Sequence, residues 1–182
     1  MEATATQVGI GVGRDFAEEW AERWLDAWNA HDVEAIVSMC AENVAWDDPA
    51  IPETYHGREG VRRFAAATFR TFPDVEIEEL EPPYLSMTSR KVLAPYRFKA
   101  TMTGPWEPTN IAPTGARIDF KGIDQWEFRG ELLSRYDTSY DLLDVARQMG
   151  VLPPHGSSQD RFLSRLQHLQ ARGQRRRALR SS

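Results

Sequence analysis

The sequence predicts an α+β fold, because its hydrophobic period changes once along the chain. Up to Phe72, apolar residues recur every three or four positions, which is typical of amphipathic helices. From Val75 to Tyr140 they largely alternate with polar residues, which is typical of half-buried strands. Helices followed by strands favour three N-terminal helices packed on a curved antiparallel or mixed sheet, with a C-terminal helical extension.

The chain of 182 residues is long enough for one domain with appendages. We predict a flexible leader over residues 1–13, a domain over residues 14–150 and a helical extension with a basic tail over residues 151–182. Cys40 is the single cysteine, which excludes an internal disulfide and argues against a cysteine-based metal site. No metal-ligand spacing is present in the sequence, and neither a metal nor another cofactor is expected.

The charge of the chain is unevenly distributed. The net charge is −5, but residues 160–182 hold seven arginines and one aspartate, which leaves −11 for residues 1–159. An acidic body is a poor match for phosphates, so nucleic acid is not an expected partner. The basic tail is interpreted as a solvated, frayed terminus. Because neither a membrane span of ~20 apolar residues nor a signal peptide is visible, no membrane partner is expected and the cytoplasm is the expected location.

A strong helix is predicted from Arg14 to Ala30. Its apolar residues form a single stripe: Phe16, Trp20, Trp24, Ala27, Trp28 and His31. Trp20 is expected to lie in the core. Trp24 and Trp28 are candidates for the wall of a ligand pocket, because a buried indole N–H needs a hydrogen-bond partner.

A short extended segment after the second helix, predicted over residues 33–40, carries two acids before a proline. In extended backbone, Val44, Trp46 and Asp48 share one face, so an acid lies beside two apolar side chains. Burial raises the pKa of a carboxyl group, which suits a general acid or base near neutral pH. The alternative is that Asp48 closes a turn at its Asp-Pro dipeptide.

A third helix is predicted after Gly57 and stops at Pro73. Two long strands are predicted over residues 91–103 and 117–128. Their inward residues are Val92, Ala94, Tyr96, Phe98, Ala100 and Met102 in the first, and Ile118, Phe120, Gly122, Asp124, Trp126 and Phe128 in the second. A hairpin turn at Gly130 leads into a third strand. The apolar side of this returning strand is predicted to hold Leu132, Tyr136 and Tyr140.

Asp124 is a second acid on an apolar strand face. Arg97 and Arg135 have the opposite parity, so neither is expected to pair with it. Two inward acids, Asp48 and Asp124, around one aromatic-lined concavity predict a functional site. The aromatic residues expected to line it are Trp24, Trp28, Trp46, Tyr96, Phe98 and Trp126.

The C-terminal segment is predicted to hold a short helix over residues 141–149 and, after a Pro-rich break, a helix over about residues 159–171. The apolar residues of the last helix are Phe162, Leu163, Leu166 and Leu169. The sequence leaves three alternatives for what this apolar face packs against: the pocket mouth, a partner subunit or its own domain.

The order of elements over roughly residues 14–150 resembles the nuclear transport factor 2-like superfamily, which implies a cone-shaped α+β fold. Three segments are similar to the ketosteroid isomerase pattern: Asn29-Ala30-His31-Asp32, Ala41-Glu42-Asn43-Val44-Ala45-Trp46-Asp47-Asp48-Pro49 and Gly122-Ile123-Asp124-Gln125-Trp126-Glu127-Phe128. The resemblance implies that Asp48 is a general base and that Asp124 is a protonated acid that binds the developing enolate oxygen. Trp24 stands where that family has an oxyanion-hole tyrosine, and its indole N–H can donate one hydrogen bond.

The end of the domain is more similar to SnoaL-like polyketide cyclases. The similarity is carried by Gly130-Glu131-Leu132, Tyr140-Asp141-Leu142-Leu143, Arg147-Gln148-Met149-Gly150 and Ala112-Pro113-Thr114-Gly115. It implies that one inward acid, matching Asp124, serves an intramolecular aldol closure. The scaffold hosts isomerases, cyclases, dehydratases, epoxide hydrolases and binding modules, so the reaction stays open.

The main hypothesis is a cofactor-independent acid/base enzyme of isomerase, cyclase or dehydratase type that acts on an apolar, carbonyl-bearing small molecule. Its catalytic residues would be Asp48, Asp124 and Trp24. One alternative is a non-catalytic module that binds small molecules or a partner. A second is epoxide hydrolysis, which needs Arg117 and Asp119 in the cavity, although their parity predicts that they face outward. The resemblance also implies a homodimer through the outer sheet face, which holds Arg97, Lys99, Gln125 and Glu127.

Overall fold

The computed structural model describes residues 11–178, with side chains described as far as residue 171. The first ten residues of the predicted leader, the last four of the basic tail and the side chains from residue 172 onward lie outside the described residues. The helices are α1 Arg14–Asn29, α2 Val33–Ser38, α3 Gly57–Thr71, α4 Leu142–Gln148 and α5 Ser158–Ala178. The strands are β1 Cys40–Trp46, β2 Tyr55–His56, β3 Glu76–Glu79, β4 Tyr84–Leu85, β5 Lys91–Thr101, β6 Arg117–Arg129 and β7 Leu132–Tyr140. The predicted α+β class is confirmed.

The strands form one mixed, curved sheet in the order β2-β1-β7-β6-β5-β3, with β4 added beside β5. Only β1 and β7 run parallel among the pairs described, and the other neighbours are antiparallel. The sheet does not close into a barrel. Its concave face therefore stays available for the helices, and the space between the two layers contains the candidate site.

Helix α1 packs on the concave face of the sheet through its predicted stripe. Its buried residues are Ala17, Trp20, Ala21, Trp24, Ala27 and Trp28. Trp20 is 1% exposed and lies against Trp126 of β6, with ring centroids 4.7 Å apart. The helix ends where His31 takes a positive φ of 55°, and Asp32 then caps α2 by accepting the Ala35 N–H. Cys40 is fully buried in the core.

The predicted inward face of β7 is wrong at its first residue. Leu132 is 37% exposed, whereas Leu133 is fully buried. A bulge shifts the pairing of β6 and β7 between Glu127 and Phe128, so that Phe128 lies opposite Leu133. Because side chains alternate with a period of two, one extra residue exchanges the inward and outward faces. Tyr136 and Tyr140 nevertheless lie on the inward side, as predicted.

The C-terminal helices differ in length from their predictions. Helix α4 is capped by Asp141, which accepts the Asp144 N–H at 2.9 Å. Helix α5 continues to Ala178, so the first part of the basic tail is helical rather than frayed. Gln and Arg favour helix, which supports this continuation. The apolar side chains of α5 are solvent-exposed: Phe162, Leu163, Leu166 and Leu169.

None of the described helices combines the length and the apolar character that a membrane span requires.

Candidate active site

A cavity of about 370 Å³ lies between the helices and the concave face of the sheet. Helices α1 and α3 form one side, β5, β6 and β7 form the other, and α4 contributes to its boundary. Six of the predicted site residues line this cavity: Trp24, Trp28, Tyr96, Phe98, Asp124 and Trp126. Most of the remaining wall is apolar. The structure thus brings together residues from positions 24 to 126 around a single cavity.

Asp124 is the buried carboxyl group of the cavity. It lies on β6, points inward and is 7% exposed. The hydroxyl of Tyr136 donates to its Oδ1 at 2.8 Å. Among the residues whose side chains are described, no arginine pairs with Asp124: Arg97 bonds to Asp119 and Arg135 bonds to Asp47. This agrees with the parity prediction that both arginines lie on the opposite face.

The pKa of Asp124 is raised to about 7, and burial is the main cause. The hydrogen bond from Tyr136 and the nearby hydroxyl of Thr138 stabilise the carboxylate and oppose the rise, while the nearby charge of Asp48 adds to it. The indole N–H of Trp126 lies close enough to lower the pKa slightly, although it makes no well-formed hydrogen bond in the described residues. A carboxyl group with this pKa exchanges its proton near neutral pH, as acid/base catalysis requires.

The cavity wall holds no basic side chain among the residues that the structure describes. Besides Asp124, the wall includes one other carboxyl group, Glu79, which lies exposed at the end of β3. Burial and the charge of Glu18 raise the pKa of Glu79. An anionic ligand would meet no counter-charge here, so the wall favours neutral, largely apolar ligands.

Asp48 lies just beyond the end of β1 and is half-buried. Its Oδ1 accepts the Ala50 N–H at 2.7 Å, which is the turn contact that the sequence offered as an alternative. The same oxygen accepts the hydroxyl of Tyr140 at 2.7 Å. Asp48 itself does not line the cavity, whereas Tyr140 does. Burial raises the pKa of Asp48, and the hydrogen bonds from Ala50 and Tyr140 oppose this rise.

The tryptophans occupy two layers. Trp24 and Trp28 line the cavity, with ring centroids 5.9 Å apart. Trp46 lies one layer behind, stacked on the ring of Tyr136 at 3.8 Å with an interplanar angle of 13°. Trp46 is fully buried and is not part of the cavity wall. It supports Tyr136, which in turn holds Asp124.

Four residues of the site were not singled out by the sequence: Trp106, Tyr136, Thr138 and Tyr140. Period-two alternation already predicts Tyr136 and Tyr140 on the inward side, but it does not say which acid each hydroxyl reaches. Trp106 belongs to an irregular loop, where its indole donates to the Ala50 carbonyl at 3.0 Å. No periodic pattern could have identified it.

Gly122 leaves room for the Tyr96 side chain to lie over β6 and reach Thr138 of β7. A Cβ atom at position 122 would lie 2.5 Å from the Tyr96 ring, and that ring's hydroxyl is 3.0 Å from Thr138 Oγ1. We expect Gly122→Ala to lower the free energy of unfolding by about 1–3 kcal/mol, because it overpacks the site. Urea unfolding measures this change. In a Tyr96→Leu background, Gly122→Ala should lower the free energy of unfolding by a smaller amount. An equal decrease in both backgrounds would contradict the steric explanation.

The residues required by epoxide hydrolysis lie outside the cavity. Arg117 and Asp119 are exposed on the outer side of β6, as their parity predicts. Asp119 forms two hydrogen bonds with Arg97, at 2.7 and 2.6 Å.

Within the part of the chain that the structure describes, no cluster of His, Cys, Asp and Glu is arranged to hold a metal ion.

An α+β cone around an apolar cavity with one deeply buried acid defines the class of this protein. The chain belongs to the SnoaL-like domain family, whose model matches residues 21–136. This agrees with the nuclear transport factor 2-like superfamily that the sequence resembles. No curated protein matches the chain in sequence.

Solved structures of this fold are similar across most of the chain. TsrD from Streptomyces laurentii is 23% identical, with a TM-score of 0.66, over 78% of this chain and 99% of its own. A protein from Jannaschia sp. CCS1 described as a SnoaL-like polyketide cyclase is 16% identical, with a TM-score of 0.64, over 84% and 100%. A protein from Catenulispora acidiphila with a ketosteroid isomerase-like fold, in complex with trimethylamine, is 22% identical, with a TM-score of 0.61, over 75% and 98%. At these identities the likeness shows the fold alone.

Proposed function

We propose that this protein is a cofactor-independent acid/base enzyme of isomerase, cyclase or dehydratase type. Its substrate is an apolar small molecule with a carbonyl group. The observation that carries this proposal is Asp124, a carboxyl group 7% exposed with a pKa of about 7, in an aromatic cavity of about 370 Å³. Membership of a family with polyketide cyclases among its structural neighbours supports the proposal.

Asp124 in its protonated form donates a hydrogen bond to the carbonyl oxygen of the substrate. As a proton leaves the neighbouring carbon, negative charge moves onto that oxygen, and the hydrogen bond strengthens. The Tyr136 hydroxyl occupies Oδ1 and so leaves Oδ2 for the proton that faces the substrate. The Trp24 indole, which lines the same wall, is proposed as a second donor, and Asp48 as the base.

The apolar wall explains why such chemistry would need neither a metal nor another cofactor. In a cavity lined by Trp24, Trp28, Trp126 and Phe98, the dielectric is low and a hydrogen bond to a developing charge is stronger than in water. The same wall binds the carbon skeleton of the substrate through apolar burial. Because the described part of the wall holds no basic side chain, the substrate enters as a neutral ketone rather than as an anion.

Deuterium exchange tests proton abstraction without requiring the natural substrate. 2-Tetralone, an apolar ring ketone, is incubated with the protein in D₂O, and loss of its α-proton signals is followed by NMR. We expect exchange well above the rate in buffer alone. Binding of 2-tetralone without faster exchange would overturn the enzymatic proposal and favour the non-catalytic binding module.

We also propose a homodimer formed through the outer sheet face. That face presents Leu93 and Ile123, which are 39% and 44% exposed, among charged residues that include Arg97 and Glu127. Burial of two such apolar side chains favours association. Sedimentation equilibrium should give the molar mass of a dimer. Ile123→Glu should shift the monomer–dimer equilibrium toward the monomer. Met87→Glu, at a residue 95% exposed in a loop, is the matched control that should leave the mass unchanged. A wild-type monomer would contradict the proposal.

A further inference from the structure

Tyr140 stands between the cavity and the carboxyl group of Asp48. Its ring lines the cavity and lies against Phe120, with centroids 4.8 Å apart. Its hydroxyl donates to Asp48 Oδ1 at 2.7 Å. Asp48 is behind the wall, so a substrate in the cavity meets the tyrosine and not the acid.

The two residues are well separated in sequence but rigidly joined in the fold. Tyr140 is the last residue of β7, and Asp48 follows β1, the parallel neighbour of β7. The Ala50 N–H holds the same Oδ1 at 2.7 Å and thereby orients the carboxyl group. Oδ2 of Asp48 makes no hydrogen bond to the described residues, and the side chain is half-buried, so that oxygen can exchange a proton with solvent.

Tyr140 and the other acid of the site lie on the same face of neighbouring strands. On β6 and β7, Gly122 pairs with Tyr140 and Asp124 pairs with Thr138. Tyr140 and Asp124 are therefore diagonal neighbours on the concave face, with Cα atoms about 7–8 Å apart. Both residues line the same cavity, so a small ketone with its oxygen at Asp124 can direct its α-carbon toward Tyr140.

We propose that Tyr140 is a further catalytic residue, which takes the substrate proton and passes its own hydroxyl proton to Asp48. Asp48 is then a positioning and proton-accepting residue that acts through Tyr140 rather than by contact with substrate. The inference rests on the proposed acid/base function and assigns the group at which its proton transfer occurs.

The transfer balances in one concerted step. The C–H bond of the substrate breaks, and its electron pair moves into the enolate while the proton forms a new O–H bond on Tyr140. The earlier Tyr140 O–H bond breaks, and that proton binds Asp48. The negative charge thus moves from the Asp48 carboxylate to the enolate oxygen, where protonated Asp124 stabilises it. Reversal of the step returns a proton to carbon.

The protonation properties of the pair suit a relay. Burial, together with the charge of Asp48, raises the pKa of Tyr140 far above its ordinary range, so a free tyrosinate is not formed. Burial likewise raises the pKa of Asp48, which makes its carboxylate a better base than an exposed one. In the relay, the Tyr140 hydroxyl accepts the substrate proton while it donates its own proton to Asp48. It therefore never becomes a free tyrosinate, and the Asp48 carboxylate serves as the base.

Two conservative substitutions test the relay in the 2-tetralone exchange assay. Tyr140→Phe keeps the ring and removes the hydroxyl. Asp48→Asn keeps an oxygen that can accept from both Ala50 and Tyr140, but it removes the basic carboxylate. Each should lower the maximal exchange rate by about 100-fold, with KM changed by less than about threefold. The double variant should be no slower than the slower single variant, because the two groups act as a unit.

The control is Tyr55→Phe, which removes a tyrosine hydroxyl outside the cavity on β2, the strand beside β1. It should retain the wild-type rate. Near-UV circular dichroism and urea midpoints show whether each variant is folded. If Tyr140→Phe does not fold, a wild-type rate in Asp48→Asn still overturns the relay.

The outcomes separate this inference from the function on which it rests. Wild-type rates in Tyr140→Phe would overturn the relay, as would multiplicative losses in the double variant. Loss of exchange in Asp48→Asn alone would also overturn it, because Asp48 would then contact substrate directly. If Asp124→Asn still lowered the exchange rate by about 100-fold in any of these cases, the proposed function would stand. If the wild-type protein catalysed no exchange, both would fall.

Discussion

Asp124→Asn is expected to lower the rate of 2-tetralone proton exchange by about 100-fold. An amide is a far weaker acid than a carboxyl group with a pKa of about 7, so asparagine cannot stabilise or protonate the enolate oxygen as Asp124 does. A positioned acid contributes about 10²- to 10⁴-fold to such reactions. Asparagine keeps the volume and can still accept the Tyr136 hydroxyl, so the fold is retained. The maximal exchange rate measured by NMR checks this prediction.

The matched control lies on the same strand. Asp119 is five residues before Asp124, faces solvent and is held by Arg97. Asp119→Asn removes a carboxyl group from β6 without touching the cavity, so exchange should proceed at the wild-type rate. A loss of less than about tenfold in Asp124→Asn would show that Asp124 is not the acid, and an equal loss in both variants would point to a general effect on the fold.

The stability of the protein is expected to fall as the pH rises from about 4 to about 7. Asp124 has a pKa of about 7 in the folded protein and about 3.9 in the unfolded chain. Between these values the folded state holds a proton that the unfolded state has lost, so raising the pH favours unfolding. Protonated Asp124 thus contributes about 4 kcal/mol to the free energy of unfolding below pH 4, and this contribution is lost once the pH exceeds about 7. Asp48, whose pKa is also raised, acts in the same direction.

Urea unfolding at pH 5, 6, 7 and 8 measures this dependence. In Asp124→Asn, most of the decrease should disappear, because asparagine does not titrate. Asp119→Asn is again the control: its hydrogen bond with Arg97 lowers the pKa of Asp119, so the stability it confers is lost only at low pH. The slope between pH 5 and 8 should thus be unchanged in that variant. If Asp124→Asn kept the wild-type slope, Asp124 would not be the titrating group.

Much of the fold could be predicted from the sequence, because hydrophobic periodicity is a local property. The stripe from Trp20 to Trp28 specifies which face of α1 is buried, and alternation along β6 specifies that Asp124 faces inward. The start of β7 could not be predicted in this way. The bulge beside Phe128 exchanges the two faces there, and it is visible only when β6 and β7 are paired.

For the candidate site, the sequence by itself indicated that Asp124 and several aromatic side chains face one concave region, but it also placed Asp48 and Trp46 there, and neither lines the cavity. Only the tertiary structure decided how they are connected. It places Trp46 behind Tyr136, and it joins Asp48 to Tyr140 across 92 residues of sequence. The physical reason is that a strand pattern sets the direction of each side chain, whereas a hydrogen bond depends on strand order and register. Those are properties of the whole sheet.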